Sequence, residues 1–297
     1  MLAALATFAI QDSQVDPWML FEPGHRVEVR VNQITESATG RRVSLQDVAA
    51  AADGKRFVYV GEEHDNPDAH RWQALVIGEL VRRGRNVVVG FEMYQRPKQQ
   101  YLDAWTLGQL SEEEFLTQSD WKGQWGFAWD LYRPIFIFAK ENRLRLVALN
   151  IPRDWVRTMS RQGWDALPPE AKENLPTPYM DNKEHFELFS ALVGGHAGGS
   201  VEGMYRGQVL WDEAMADSAL RYFEKAYVPK NTVFVVIAGN GHLMYEQGIN
   251  YRIERRTGEN GITVITRSIP EGQEKAEVTR AVGDFVIGTR EPKRSGQ

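Results

Sequence analysis

The sequence predicts an α/β fold: a mainly parallel central sheet flanked by helices, with a helical insertion subdomain and a small N-terminal hairpin. Five short apolar segments rich in β-branched residues are bounded by turn residues, which is typical of buried strands. Apolar residues at helical spacing fill the gap between the first two segments, and this predicts a right-handed parallel crossover. The predicted core strands lie near residues 57–60, 86–91, 144–149, 232–237 and 262–266.

The N-terminal region combines an apolar start with a strand pattern. Residues 1–10 are apolar and rich in small side chains, so we expect 1–20 to be a remnant secretory signal or a disordered start. Alternating apolar and polar residues at 25–31, with a turn at 39–42, predict the hairpin. A helix at 45–52 should follow it.

The other predicted helices lie between the core strands. Ser111 and Glu114 form a capping box at the start of one of them, between the second and third strands. We expect one domain over 21–290 and a disordered tail over 291–297. Further helices are predicted at residues 67–83, 183–192 and 208–226, the last two inside an insertion of about 152–230.

Composition excludes several classes of function. With 35 basic and 40 acidic residues and no long run of one sign, the chain has no electrostatic feature of a nucleic-acid-binding protein. The sequence contains no cysteine, which excludes disulfides, thiolate nucleophiles, cysteine-ligated metals and a lipid-modified cysteine. Membrane anchoring through a lipidated cysteine is therefore not expected.

Polar side chains follow several predicted strands where each strand ends. Glu62 and His64 follow the first, Glu92 the second, and His242 the fourth. Because the carboxyl ends of parallel strands meet at one edge of a sheet, we expect these four side chains to converge. They form a nitrogen and oxygen ligand set suited to zinc, iron or manganese, and a carboxylate that is not a ligand could act as general base. Asn150 and Asn240 occupy similar positions.

These residues also have simpler interpretations. Glu62 and Asp65 could cap the helix that begins near Pro67, where a carboxylate satisfies free backbone amides. His64 and His242 could be hydrogen-bonded histidines at strand ends. The sequence leaves these alternatives open.

An aromatic cluster lies between the second and third strands. Trp121, Trp125 and Trp129 occur at a spacing of four, followed by Tyr132. Core packing is the common role of such a pattern. Flat aromatic surfaces beside the predicted rim, which is the sheet edge where the strand-end side chains converge, also suit a large planar ligand. Tyr94, just past Glu92, could ligate a ferric haem or stack on it. Gln208 and Asp212 are polar residues on an otherwise apolar helical stripe.

The ordered set of these motifs resembles the ChaN-like family of bacterial haem-binding, iron-regulated proteins. That family belongs to a superfamily with TraB, Tiki and erythromycin-esterase-like proteins. The matching segments run from about residue 57 to 250 and are Val60-Gly61-Glu62-Glu63-His64-Asp65, Gly90-Phe91-Glu92-Met93, Trp129-Asp130-Leu131-Tyr132-Arg133-Pro134, Asn150-Ile151-Pro152, Gln208-Val209-Leu210-Trp211-Asp212, Met215-Ala216 and Ala238-Gly239-Asn240-Gly241-His242.

The resemblance implies an α/β core with a helical insertion and a role in haem or iron acquisition. It implies a periplasmic or cell-envelope location, with a cytoplasmic one as the alternative, and a homodimer that holds haem between its subunits. Through the more distant esterase-like relatives, it also implies a metal or catalytic role for the rim residues. The residues assigned to the haem site are His64, Tyr94, Trp129, Tyr132 and Gln208.

Three functions remain open from the sequence, so enzymatic activity is undecided. The first is a non-enzymatic haem-binding protein of bacterial iron uptake, with a tyrosine or histidine ligand. The second is a metal-dependent hydrolase in which Glu62 and His64 are catalytic and Glu92 and His242 complete the metal site. The third is a scaffold whose rim binds another protein.

Overall fold

The strands and helices follow the predicted order along the chain. The computed structural model describes residues 15–194, 200–224 and 227–292. The strands are β1 Arg26–Arg30, β2 Ile34–Glu36, β3 Arg42–Val43, β4 Phe57–Glu62, β5 Asn86–Gln95, β6 Arg145–Asn150, β7 Thr232–Gly239, β8 Ile262–Ile269, β9 Lys275–Thr279 and β10 Phe285–Arg290. The helices are α1 Leu45–Ala51, α2 Pro67–Arg82, α3 Gln99–Thr106, α4 Glu112–Ser119, α5 Trp121–Gln124, α6 Trp129–Glu141, α7 Arg153–Gln162, α8 Pro169–Asn174, α9 Lys183–Val193, α10 Val201–Phe223 and α11 Ile249–Thr257.

The main sheet has eight strands in the order β3-β2-β10-β8-β4-β7-β5-β6. Strands β4 to β8 and β10 pair in parallel, whereas β2 and β3 form an antiparallel edge. Every residue of β4 and β7 is buried, because helices cover both faces of a parallel sheet. The predicted fold class is confirmed, with all five core strands in place.

The two ends of the chain depart from the predictions. β1 pairs with β9 in a separate two-stranded sheet, and the N-terminal hairpin is formed by β2 and β3 instead. β10 adds a parallel strand that was not predicted. An alternating strand can pair with any partner that presents a matching face, and local sequence does not specify which one folding brings near.

The predicted signal and tail lie mostly outside the described residues, on 1–14 and 293–297. Within the predicted N-terminal segment, Pro17–Met19 forms a short 3-10 helix and Trp18 is buried. The described part of the chain contains no helix both long and apolar enough to cross a membrane.

Apolar side chains cover both faces of the main sheet. On one face, Ile77 of α2 and Phe136 of α6 share a cluster with Val89 of β5. On the other face, Met215 of α10 and Ile253 of α11 belong to a second cluster. A third, smaller cluster joins α7 to α10. These contacts fix α2, α7 and α10 around the carboxyl ends of the strands.

Candidate functional site

The carboxyl ends of β4, β5 and β7 lie beside a cavity of about 570 Å³. This volume is in the range of small-molecule and cofactor sites. The predicted rim residues His64, Glu92, Asn150 and His242 all line it. Asn240 does not, because its side chain bonds the backbone of Thr266 in β8.

Glu62 is a buried carboxylate with four polar neighbours. Its Oε1 accepts a hydrogen bond from the Tyr132 hydroxyl at 2.5 Å and lies 2.8 Å from Nδ1 of His64. Its Oε2 accepts from Gln73 at 2.9 Å and lies 3.4 Å from Nδ1 of His70. Burial alone would raise the pKa of this carboxyl, but the hydrogen bonds from the two histidines outweigh it and hold the pKa below its usual range. Glu62 therefore holds the His64 ring in position through Nδ1.

His64 lines the cavity, and one of its two ring nitrogens is held by Glu62. Pairing of Nδ1 with a carboxylate fixes the ring orientation, and Nε2 has no hydrogen-bond partner among the described residues. The rings of Trp125 and Phe127 lie 4.8 and 5.3 Å from the imidazole centroid. Burial lowers the pKa of His64, but the Glu62 carboxylate outweighs it and raises the pKa.

Gly239, at the end of β7, leaves the room that this histidine needs. A Cβ built on Gly239 would lie 2.7 Å from Cε1 and 3.1 Å from Nε2 of His64. Such distances are below van der Waals contact, so any larger residue would displace the ring. The glycine is required here by close approach and not by an unusual backbone angle, since its φ is −57°.

Glu92 and His242 form a second buried pair. Oε2 of Glu92 accepts from the amide of Gly239 at 2.7 Å, and Oε1 lies 3.3 Å from Nε2 of His242. The other nitrogen, Nδ1, lies 2.5 Å from Oδ1 of Asp212 and 2.9 Å from the Gln208 amide. Burial lowers the pKa of His242, but the carboxylates of Glu92 and Asp212 outweigh it and raise the pKa to about 10.

Asp212 links the Glu92 and His242 pair to further buried side chains of the insertion and of α11. Oδ2 of Asp212 lies 3.2 Å from Nε2 of His185 on α9 and 3.7 Å from Arg252 on α11. Burial raises the pKa of Asp212, but His242 and Arg252 outweigh it and hold the pKa below its usual range. The result is a buried network of compensating charges that links β5, α9, α10 and α11.

The structure does not support the predicted metal set of Glu62, His64, Glu92 and His242. The strand ends converge as expected, but each carboxylate is already engaged by histidines, amides or a hydroxyl. Within the described ranges, no group of three or more histidine, aspartate or glutamate side chains is placed to hold a metal ion. The capping interpretation is also wrong, since Asn66, and neither Glu62 nor Asp65, caps α2.

The predicted tyrosine ligands lie in the interior. Tyr94 is fully buried with its hydroxyl 2.8 Å from Ser119, and burial raises its pKa. Tyr132 is also buried; burial and the nearby Glu62 raise its pKa. Neither hydroxyl reaches the cavity, so a phenolate ligand from either residue is not supported.

The aromatic cluster is mainly core. Trp129 packs against Trp121 and Phe136 with ring centroids 5.2 and 5.0 Å away, and its indole donates to Glu112. Of the three tryptophans at a spacing of four, only Trp125 lines the cavity. Gln208 is likewise absent from the lining and acts through His242. Core packing was therefore the correct interpretation for most of this cluster.

Several lining residues were not predicted from the sequence. Trp211 of α10 lines the cavity, as do Arg153, Arg157 and Arg161 of α7. The arginine spacing of four was a readable signal, because it places all three side chains on one helical face. The sequence alone could not show that this face borders the strand ends.

Comparison with known proteins agrees with this architecture. No curated protein matches the chain. A solved structure of cofacial haem binding to ChaN of Campylobacter jejuni is 18% identical, with a TM-score of 0.64, and the match covers 86% of this chain and 95% of that one. The erythromycin esterase mutant EreC in its open conformation is 11% identical, with a TM-score of 0.50, covering 91% and 98%. At these identities, the likenesses show a shared fold.

The sequence itself assigns the family. A family model described as "Haem-binding uptake, Tiki superfamily, ChaN" matches residues 48–253, which include the strands and helices that build the cavity. This confirms the resemblance drawn from the motifs, and the chain belongs to the ChaN family of the Tiki superfamily.

Proposed function

We propose that this protein binds haem in the cavity at the carboxyl ends of β4, β5 and β7. The observation that carries the proposal is His64, which lines the cavity: its Nδ1 is held by a buried carboxylate, and its Nε2 has no partner among the described residues. Histidine is a common protein ligand of haem iron. Membership of a family described by haem-binding uptake supports the same conclusion.

The residues present fit a haem. Trp125 and Trp211 give the cavity flat apolar surface, and its volume of about 570 Å³ suits a cofactor-sized molecule. Arginines of α7 give it positive charge at one side. The fit therefore includes a free imidazole nitrogen, aromatic surface and cationic groups.

Each residue has a distinct part in this proposal. Bound haem would supply an iron centre, and His64 would hold it through Nε2 in the form of the ring that carries no proton on this nitrogen. Glu62 would orient the His64 ring, as carboxylates commonly do for metal-bound histidines. Tyr132 and Gln73 in turn fix Glu62 through hydrogen bonds of 2.5 and 2.9 Å.

Hemin titration of the purified protein tests the proposal. We expect a stoichiometric Soret band whose position and intensity change in a His64→Ala variant, with at least tenfold weaker binding because the iron ligand is lost. His25→Ala is the matched control, because His25 is an exposed turn residue remote from the cavity lining. Absence of a stoichiometric spectral change in the unaltered protein would refute haem binding, and elemental analysis of the same preparation tests the divalent-metal alternative.

The family description also bears on the wider role. We infer that the protein serves bacterial haem or iron uptake at the cell envelope as a non-enzymatic carrier, and that two copies assemble around haem. The family description of haem-binding uptake supports the role in uptake, and the cofacial haem binding of Campylobacter jejuni ChaN supports the assembly. Cell fractionation tests the location, and light scattering with and without hemin tests the assembly; a cytoplasmic protein or an unchanging monomer would contradict them.

A further inference from the structure

Helix α7 gives the cavity a row of positive charge. Arg153, Arg157 and Arg161 all line the cavity, and a spacing of four places them on one helical face at steps of about 6 Å. Glu92 is the one carboxylate among the described lining residues, and it is already paired with His242. The cavity is thus cationic although the chain has a net charge of −5.

The packing of α7 holds this face in place. Val156 and Met159 share a cluster with Leu210 of α10. A Cβ on Gly207 of α10 would lie 2.3 Å from Oγ of Ser160, so the two helices approach closely at this point. Contact with α10 therefore fixes the position of α7, and the arginines line the cavity beside this contact.

The three guanidinium groups differ in their other contacts. Arg153 donates to two backbone carbonyls of α5 and is held by them. Arg157 makes an ion pair of 2.9 Å with Asp154, but both side chains are more than half exposed, and such pairs contribute little. Arg161 contacts no carboxylate in the described part of the chain. Arg157 and Arg161 are therefore available to a ligand.

We propose that Arg157 and Arg161 bind carboxylate groups on one edge of the ligand, while Arg153 adds fixed positive charge. This makes the cavity selective for a planar ligand that carries free carboxylates, which are the groups that a guanidinium binds best. The inference rests on the proposed haem function, since haem has two propionate side chains on adjacent ring positions. Beyond haem binding itself, the cavity would recognise those two propionates and bind their neutral esters less tightly.

Four probes test the inference: hemin, hemin dimethyl ester, and iron-free protoporphyrin IX with its dimethyl ester. The iron-free pair reports carboxylate recognition without any iron ligand. Each is titrated against the unaltered protein and an Arg157→Gln/Arg161→Gln double variant. The control is an Arg26→Gln/Arg41→Gln double variant, which changes the net charge equally at two exposed arginines away from the cavity.

We expect the unaltered protein to bind each free acid about tenfold more tightly than its ester, as two partly exposed ion pairs would give. In the α7 double variant, most of the preference for the acids should be lost, with only the small part due to Arg153 remaining, and the affinity for the esters should not change. Equal binding of acid and ester by the unaltered protein, or an undiminished preference in the α7 variant, would overturn the inference.

The same titrations separate this inference from the haem proposal. If protoporphyrin IX binds with the expected preference but hemin gives no iron-ligand spectrum, ligation by His64 is refuted and carboxylate recognition stands. If neither free acid binds, both are refuted. If the control variant loses affinity as much as the α7 variant, general electrostatic attraction replaces recognition by α7.

Discussion

At the scale of single residues, the site depends on how His64 is oriented. A buried carboxylate fixes one ring nitrogen, Tyr132 and Gln73 fix the carboxylate, and a glycine on the neighbouring strand leaves space for the ring. The free Nε2 is thus positioned by contacts that involve β4, α2, α6 and β7.

A Gly239→Ala substitution tests this arrangement. Because the new Cβ would lie 2.7 Å from Cε1 of His64, the ring must move, and we expect hemin affinity to fall about tenfold or more while the fold is retained. The backbone angles of Gly239 are allowed for alanine, so the effect is steric. Gly24→Ala is the control, since a Cβ there would meet nothing within 4 Å. Unchanged hemin binding in Gly239→Ala would show that the orientation of His64 does not matter.

At the scale of secondary-structure elements, Asn66 joins the start of α2 to the main sheet. Its side-chain oxygen accepts from the amides of Asp68 and Ala69, which caps the helix. Its amide nitrogen donates to Ser268 and to the carbonyl of Arg290, at 2.7 and 3.1 Å. The helix that carries His70 and Gln73 is thereby tied to β8 and β10.

Asn66→Ala should therefore lower the stability of the fold. It removes a helix cap and leaves buried polar groups without a partner, so we expect a loss of about 3 kcal/mol in the free energy of unfolding. Ser44→Ala removes only the exposed cap of α1 and should cost about 1 kcal/mol. Urea denaturation at pH 7 measures both. Equal losses would mean that the links from Asn66 to the sheet contribute nothing.

At the scale of the whole molecule, the buried network around Asp212 joins the insertion to the sheet. His185 of α9, Arg252 of α11 and His242 after β7 all converge on this one carboxylate. Such a network is stable only while its charges compensate one another, which makes the stability of the fold depend on pH.

The titration of His242 should make the fold less stable as pH rises. Its pKa is raised from 6.5 to about 10 in the folded protein, so above pH 6.5 the unfolded chain binds fewer protons than the folded one. The contribution of His242 is fully present below pH 6.5 and is lost as pH rises through 10, with a slope of at most about 1.4 kcal/mol per pH unit. Urea denaturation between pH 7 and 9 should show decreasing stability.

A His242→Gln variant should reduce this slope, because it removes the titrating group. His64 and His70 also have raised pKa values, so a smaller slope of the same sign should remain. His25→Gln, at an exposed turn, should leave the slope unchanged. A slope that is the same in His242→Gln and in the unaltered protein would contradict the assignment.

Much of the architecture could be predicted from local sequence. The five core strands are apolar and β-branched because both faces of a parallel sheet are buried, and that composition is visible without a structure. The capping box of Ser111 and Glu114 likewise predicted the start of α4. The pairing of β1 with β9 was not predictable, since its register depends on chain segments about 250 residues apart.

The convergence of Glu62, His64, Glu92 and His242 on one edge of the sheet could be predicted from the sequence, because strand ends and parallel topology follow from local patterns. The roles of these residues depend on the folded structure. Side-chain direction and burial made Glu62 a support for His64 and made Glu92 and His242 a compensated pair, and packing placed the α7 arginines at the cavity and Tyr94 in the core. These outcomes depend on contacts between elements distant in sequence, which no local pattern encodes.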